Sequence, residues 1–109
     1  GSGLITGVIV ARREVVDANP DAVDAFLKDY AASVEWVNGN TAEAAQLISE
    51  YGIVEAAPVA EKALPYCNIV CITGSEMKEK LSGYLQVLSD AEPASVGGAL
   101  PGEDFYYGA

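Results

Sequence analysis

The chain has 109 residues, half of them apolar, with sixteen acidic against six basic side chains, no histidine and a formal charge of −10. Such a composition suits one small globular domain and excludes disorder. The negative charge repels phosphate backbones and anionic lipid surfaces, so nucleic acid is not an expected partner. No apolar run approaches the ~20 residues of a membrane helix, and no basic stretch followed by an apolar one opens the chain.

Gly1–Gly3 read as a flexible linker or a scar left by cloning, and residues 4–109 as the domain itself. The first predicted element is a strand over residues 6–11, apolar and β-branched at Val8, Ile9 and Val10, of the kind covered on both faces. Arg12, Arg13 and Glu14 end it, and a helical turn follows. Asn19-Pro20-Asp21 then supply an N-cap, a proline at the first helical position and an acid in the first turn. Val23, Phe26, Leu27, Tyr30, Val34 and Val37 recur at three- and four-residue steps and give that helix one apolar stripe. Asn38-Gly39 stop it.

Asn40 with Glu43, or Thr41 alone, can cap a second helix lined by Ala44, Leu47, Ile48 and Tyr51, with Gly52 at its end. Pro58 can open a third, short helix with Val59, Ala60, Ala63 and Leu64 inward, and Pro65 forbids its continuation. A second strand is expected over Cys67–Ile72. Thr73-Gly74-Ser75-Glu76 match a capping box for a fourth helix carrying Met77, Leu81, Tyr84, Leu85 and Leu88 to about Ser89. Beyond Pro93 no regular structure is expected.

The predicted fold class is therefore α/β, with about four helices and two short strands. The strands are too far apart in sequence for a tight hairpin, so if they are neighbours helices join them and the pairing is parallel. Two strands with helices for roughly one face leave apolar area uncovered, which points to a part of a larger α/β layer.

Catalytic chemistry finds little support. Without histidine, Ser-His and Cys-His pairs are absent, as is the commonest general base near neutral pH. Asp17, Asp21, Asp24 and Asp29 lie around a helix start and its outward side, where acids favour the dipole and solvation. Cys67 and Cys71 in a strand stand about 13 Å apart, beyond the ~7 Å reach of a disulfide. Two thiols without histidine also make a poor zinc site, and both are read as buried free cysteines. No cofactor is expected. Gly97-Gly98 lack the strand, the lysine and the glycine pattern of a phosphate loop.

Thr73-Gly74-Ser75 offer free N–H groups and two hydroxyls to an anion, although ordinary capping uses the same residues. Glu103-Asp104 beside Phe105-Tyr106-Tyr107 can bind a cation or an amine, against the plainer reading of a tail packing its aromatics onto the body. Tyr30 is read as core, and Trp36 as partly exposed or packed against a missing element.

Several of these segments resemble a known family. The run from Leu4 to Val16, Leu-Ile-Thr-Gly-Val-Ile-Val-Ala-Arg-Arg-Glu-Val-Val, is followed by Asn19-Pro-Asp-Ala-Val-Asp-Ala-Phe-Leu-Lys-Asp-Tyr. Together they resemble the hydrophobic strand, short turn and NPxxVxxFL helix of solute-binding proteins serving ABC importers, in the nitrate, sulfonate and taurine subgroup with its thiamine-precursor relatives. The Thr73-Gly-Ser-Glu-Met-Lys helix start and the ending from Pro93 through Val-Gly-Gly-Ala-Leu-Pro-Gly-Glu-Asp-Phe-Tyr-Tyr are similar to the C-terminal end of such proteins. The resemblance covers nearly everything after residue 3.

It implies a partial lobe of the bilobed type 2 periplasmic-binding-protein fold, beginning where the backbone returns from the second lobe to the first. It also implies an extracytoplasmic, non-enzymatic role in binding a small, often anionic solute and docking on the permease. On the matching motifs Thr6 and Gly7 lie at the return crossover near the cleft. Thr73 and Ser75, with hydroxyls at a helix start, complete the ligand-side candidates. An isolated piece of this kind is expected to dimerise through its uncovered surface. Two rival readings are an independent helical module binding a partner helix in an apolar groove, and a small enzyme using carboxylates alone.

Overall fold

The computed structural model describes residues 3–109. Of these, 66% are helical and none is in a strand. The expected α/β architecture is thereby corrected to an all-helical one. The physical reason lies in pairing: residues 6–11 and 67–72 have β-branched content, but neither segment is paired with a second strand among the described residues, and without one there is no sheet. The linker reading of residues 1–3 falls, except for Gly3, outside the described residues.

The chain divides into two compact units, one of Ala11–Cys71 and one joining the residues up to Val10 with Ile72–Ala109. In the first, α1 (Arg13–Ala18) is the helical turn expected after the basic pair, and α2 (Pro20–Gly39) begins at its proline. α3 (Thr41–Glu50) and α4 (Ala57–Ala63) follow, and a 3₁₀ turn, Leu64–Tyr66, closes α4 around Pro65. α3 packs against α4 and the 3₁₀ turn, and α2 against α1 and α3.

The core of this unit is small. Ala44, Ala45, Ala60 and Leu64 are buried, with Val37, Ile48, Val54 and Ile69 packed partly against them. Alanines at the α3–α4 contact let the helices approach closely, and Leu64 fills the remaining space. Asn38 Nδ2 donates to the Ile69 carbonyl at 2.9 Å and ties the segment after the 3₁₀ turn to the end of α2.

Two asparagines act opposite to expectation. Asn19 and Asn40 precede α2 and α3, but neither side chain caps the helix that follows. Asn19 Nδ2 donates to the Val15 carbonyl at 3.1 Å, which also accepts from the Asn19 amide at 3.0 Å, and Asn40 Nδ2 donates to the Trp36 carbonyl at 2.9 Å, so each side chain turns back onto the last turn of the preceding helix.

The second unit is built on α5 (Gly74–Ala91). Thr73 stands at its N-cap without a side-chain hydrogen bond, so the expected capping box is not formed. α5 packs against a 3₁₀ turn, Pro93–Val96, and a further 3₁₀ turn covers Glu103–Phe105, two short elements where none was expected. Ser95 Oγ donates to the carbonyls of Leu88 (3.2 Å) and Glu92 (2.7 Å), fixing the reversal after α5. Tyr106 is buried and meets Phe105 edge-on with centroids 5.2 Å apart, while Phe105 itself remains exposed.

Much apolar surface stays in solvent. Leu4 and Val10 are 80% exposed, Val8 59% and Ile9 51%, where burial on both faces was expected. The stripes of α2 and α5 exist at the predicted spacing, yet neither helix has a buried residue. The accessible surface of this 11.3 kDa chain is 7899 Å².

Candidate functional site

The concave apolar surface of the first unit is a groove of about 360 Å³ between α2, α3 and the turn after α3. Its walls are Trp36 and Val37 from α2, Leu47, Ile48 and Tyr51 from α3 and its end, and Ile53 from the turn. Trp36 and Val37 are brought to it by the α2 periodicity, and Leu47, Ile48 and Tyr51 by three- and four-residue steps along α3.

Ile53 is positioned by the way α3 ends. Gly52 adopts φ +73, the left-handed region that a side chain resists. The Gly52 amide then donates to the Ser49 carbonyl at 3.0 Å and the Ile53 amide to the Ile48 carbonyl at 3.0 Å. This is the glycine closure that turns the residue after it back onto the last helical turn. Ser49 Oγ donates to the Glu55 carbonyl at 2.8 Å and holds the far side of the turn. Ile53 is thus fixed at the groove while 72% exposed.

Acidic side chains flank the groove. Asp29, Ser33 and Trp36 share one face of α2, and Glu43, Leu47 and Glu50 one face of α3, by the same spacing. Asp29, Glu35, Glu43, Glu50 and Glu55 are all exposed, and no basic residue occurs between Lys28 and Lys62.

In the second unit a cleft of about 520 Å³ lies between α5 and the tail. Lys78, Ser82 and Gln86 face it at four-residue steps, opposite Leu100, Pro101 and Tyr106. Its polar groups are occupied internally: Lys78 Nζ is paired with the Glu103 carboxylate, Ser82 Oγ donates to the Glu79 carbonyl at 3.2 Å, and Gln86 Nε2 donates to Asp90 Oδ1 at 2.8 Å. Glu103 pairs with Lys78, while its side chain stays well exposed.

The sequence-predicted ligand residues all belong to this second unit. Thr6 and Gly7 are exposed in a segment without regular structure, and Thr73 and Ser75 are exposed on either side of Gly74 at the start of α5. Among the described residues the hydroxyls of Thr6, Thr73 and Ser75 make no hydrogen bond, and none joins one pair to the other. Gly74 takes φ +66, and a Cβ there would stand 3.6 Å from the Gly108 carbonyl oxygen, so the tail returns to this helix start. At Gly97-Gly98 the amides donate to Ala94 (3.2 Å) and Pro93 (2.9 Å), consistent with a turn rather than a phosphate loop.

Both cysteines are free, but Cys67 is exposed and Cys71 half-buried, which corrects their reading as buried. Tyr30, expected in the core, is 37% exposed and lies beside Phe26 with centroids 5.9 Å apart. Trp36 is partly exposed, as expected. Among the described residues no group of histidine, cysteine or acidic side chains is arranged to hold a metal ion, and no helix is long and apolar enough to cross a membrane. The groove was missed in sequence because Ile53 lies outside any periodic run; Gly52, directly after the last periodic position Tyr51, was the available signal.

No family model, no curated protein and no solved structure matches this chain.

Proposed function

We propose that this chain is the C-terminal part of the solute-binding component of an ABC importer, acting outside the cytoplasm. Its solute is small and of the sulfonate, nitrate, taurine or thiamine-precursor class, and its partner is the permease. The role is binding without catalysis. The quoted residue patterns suggest the family, and one structural observation carries the proposal further. The Leu4–Val10 run, apolar enough for an interior, has most of its large side chains in solvent. Exposed apolar stretches of that size mark surface that something else covers. In this reading the cover is the remainder of the binding protein. The uncommitted hydroxyls of Thr6, Thr73 and Ser75 and the backbone at Gly7 contribute on the ligand side.

Thermal shift of the full-length protein carrying this chain, against sulfonates, nitrate, taurine and pyrimidines, tests it. A ligand at one hundred times its Kd adds about 2.7 kcal/mol of stability, a clear rise in Tm. No shift with any of these classes contradicts the importer role.

A second function, an independent helical interaction module, is favoured by the groove of the first unit, whose Trp36, Leu47, Tyr51 and Ile53 remain exposed although they converge on one concavity.

A further inference from the structure

We infer that the groove between α2 and α3 docks a basic amphipathic helix of a partner protein. The inference deepens the interaction-module function and rests on it.

Shape comes first. At about 360 Å³ the groove lies at the small end of the volumes that enclose whole ligands, ~300–1,000 Å³. It suits a few side-chain anchors from a helix, which presents them at three- and four-residue steps. Its walls are two helix faces and one turn held by three hydrogen bonds, so the surface is ordered before any partner arrives. The aromatic anchors Trp36 and Tyr51 are of the types that dominate docking energies.

Charge then selects the occupant. Six exposed acids (Asp29, Glu35, Glu43, Glu50, Glu55 and Glu61) and no base lie between Lys28 and Lys62, with Asp29, Glu43 and Glu50 on the same helix faces as the groove residues. A second copy of this chain would bring the same acids against them and carries the same charge of −10. Like charges brought together on a docking face oppose binding, whereas lysines and arginines flanking an apolar stripe complement it. A neutral apolar helix leaves the acids without partners.

Trp36 is the sole tryptophan, so its emission reports the groove directly. The whole chain is titrated with an eighteen-residue Leu/Lys peptide patterned as an amphipathic helix. The companions are a peptide of identical composition with scrambled order, and a Leu/Gln version of the same pattern. The inference predicts a blue shift of Trp36 saturating with the patterned basic peptide, and binding that weakens as salt rises. Leu47→Ala and Ile53→Ser, both at exposed positions, should each weaken it about tenfold. The double variant Glu43→Gln, Glu50→Gln should weaken it and flatten its salt dependence. Equal binding of the Leu/Gln peptide overturns the basic partner while leaving an interaction module standing. Binding of the scrambled peptide with equal affinity, or of none of the three, overturns both. A Trp36 already blue-shifted and unresponsive in an upstream-lengthened chain also overturns the inference, because the protein's own residues then fill the groove.

Discussion

The Ile53 amide donates to the Ile48 carbonyl at 3.0 Å across the left-handed Gly52, and both isoleucines line the groove. One backbone reversal therefore ends α3 and completes the concave surface beside Trp36. Gly52 has open space around its Cα, so a substitution meets only the backbone cost. Gly52→Ala should destabilise the first unit by about 1 kcal/mol. A thermal melt followed at Trp36 checks this; an unchanged or raised Tm contradicts the role of the turn.

Leu64 is the one large side chain buried among the alanines of α3 and α4. Leu64→Ala should cost about 2–3 kcal/mol, the lower part of the range for such truncations because the core is small and can collapse. Ala45→Leu at the same contact should cost about 1–3 kcal/mol by overpacking. Val59→Ala, on the exposed side of α4, should stay within about 0.5 kcal/mol. Urea titration of the three variants gives the ranking, and a Val59 effect as large as that of Leu64 would disprove the assigned core.

The thiols provide a local probe. Cys67 is exposed and Cys71 half-buried, so a thiol reagent should modify Cys67 first. Removing the Asn38 bond to Ile69 frees the segment that holds Cys71, and Asn38→Ala should bring the two rates together. Mass spectrometry of partially alkylated protein resolves the sites.

The Lys78–Glu103 pair joins α5 to the tail at the surface, where Glu103 is well exposed. A double-mutant cycle with Lys78→Ala and Glu103→Ala should give a coupling below about 1 kcal/mol, shrinking with salt. A coupling of several kcal/mol would mean that this contact organises the second unit.

The helices were legible and the strands were not, for one reason. Helical hydrogen bonds are made within the segment, so Pro20, the stripe from Val23 to Val37, Gly52 and Pro58 placed α2, α3 and α4 nearly to the residue. A strand needs a partner elsewhere, and Val8-Ile9-Val10 carries β propensity whether or not one is present. Burial failed similarly at Tyr30 and Cys67, because periodicity tells which face is apolar but not what covers it. Asn19 and Asn40 were expected to cap the helices that follow them, but an asparagine between two helices can serve either, and both turn back to the preceding one. Of the candidate sites, Thr6, Gly7, Thr73 and Ser75 lie exposed in one unit, while the groove depended on a turn closure that periodicity does not register.

Amide hydrogen exchange at Val8, Ile9 and Val10, compared between this chain and a version lengthened upstream, tests most directly whether the exposed apolar run belongs under cover supplied by the rest of a larger protein. Fast exchange at the three amides here, with protection of at least a hundredfold in the longer protein, is the predicted result; protection already present in this chain as a monomer, or equally fast exchange in both, would contradict it.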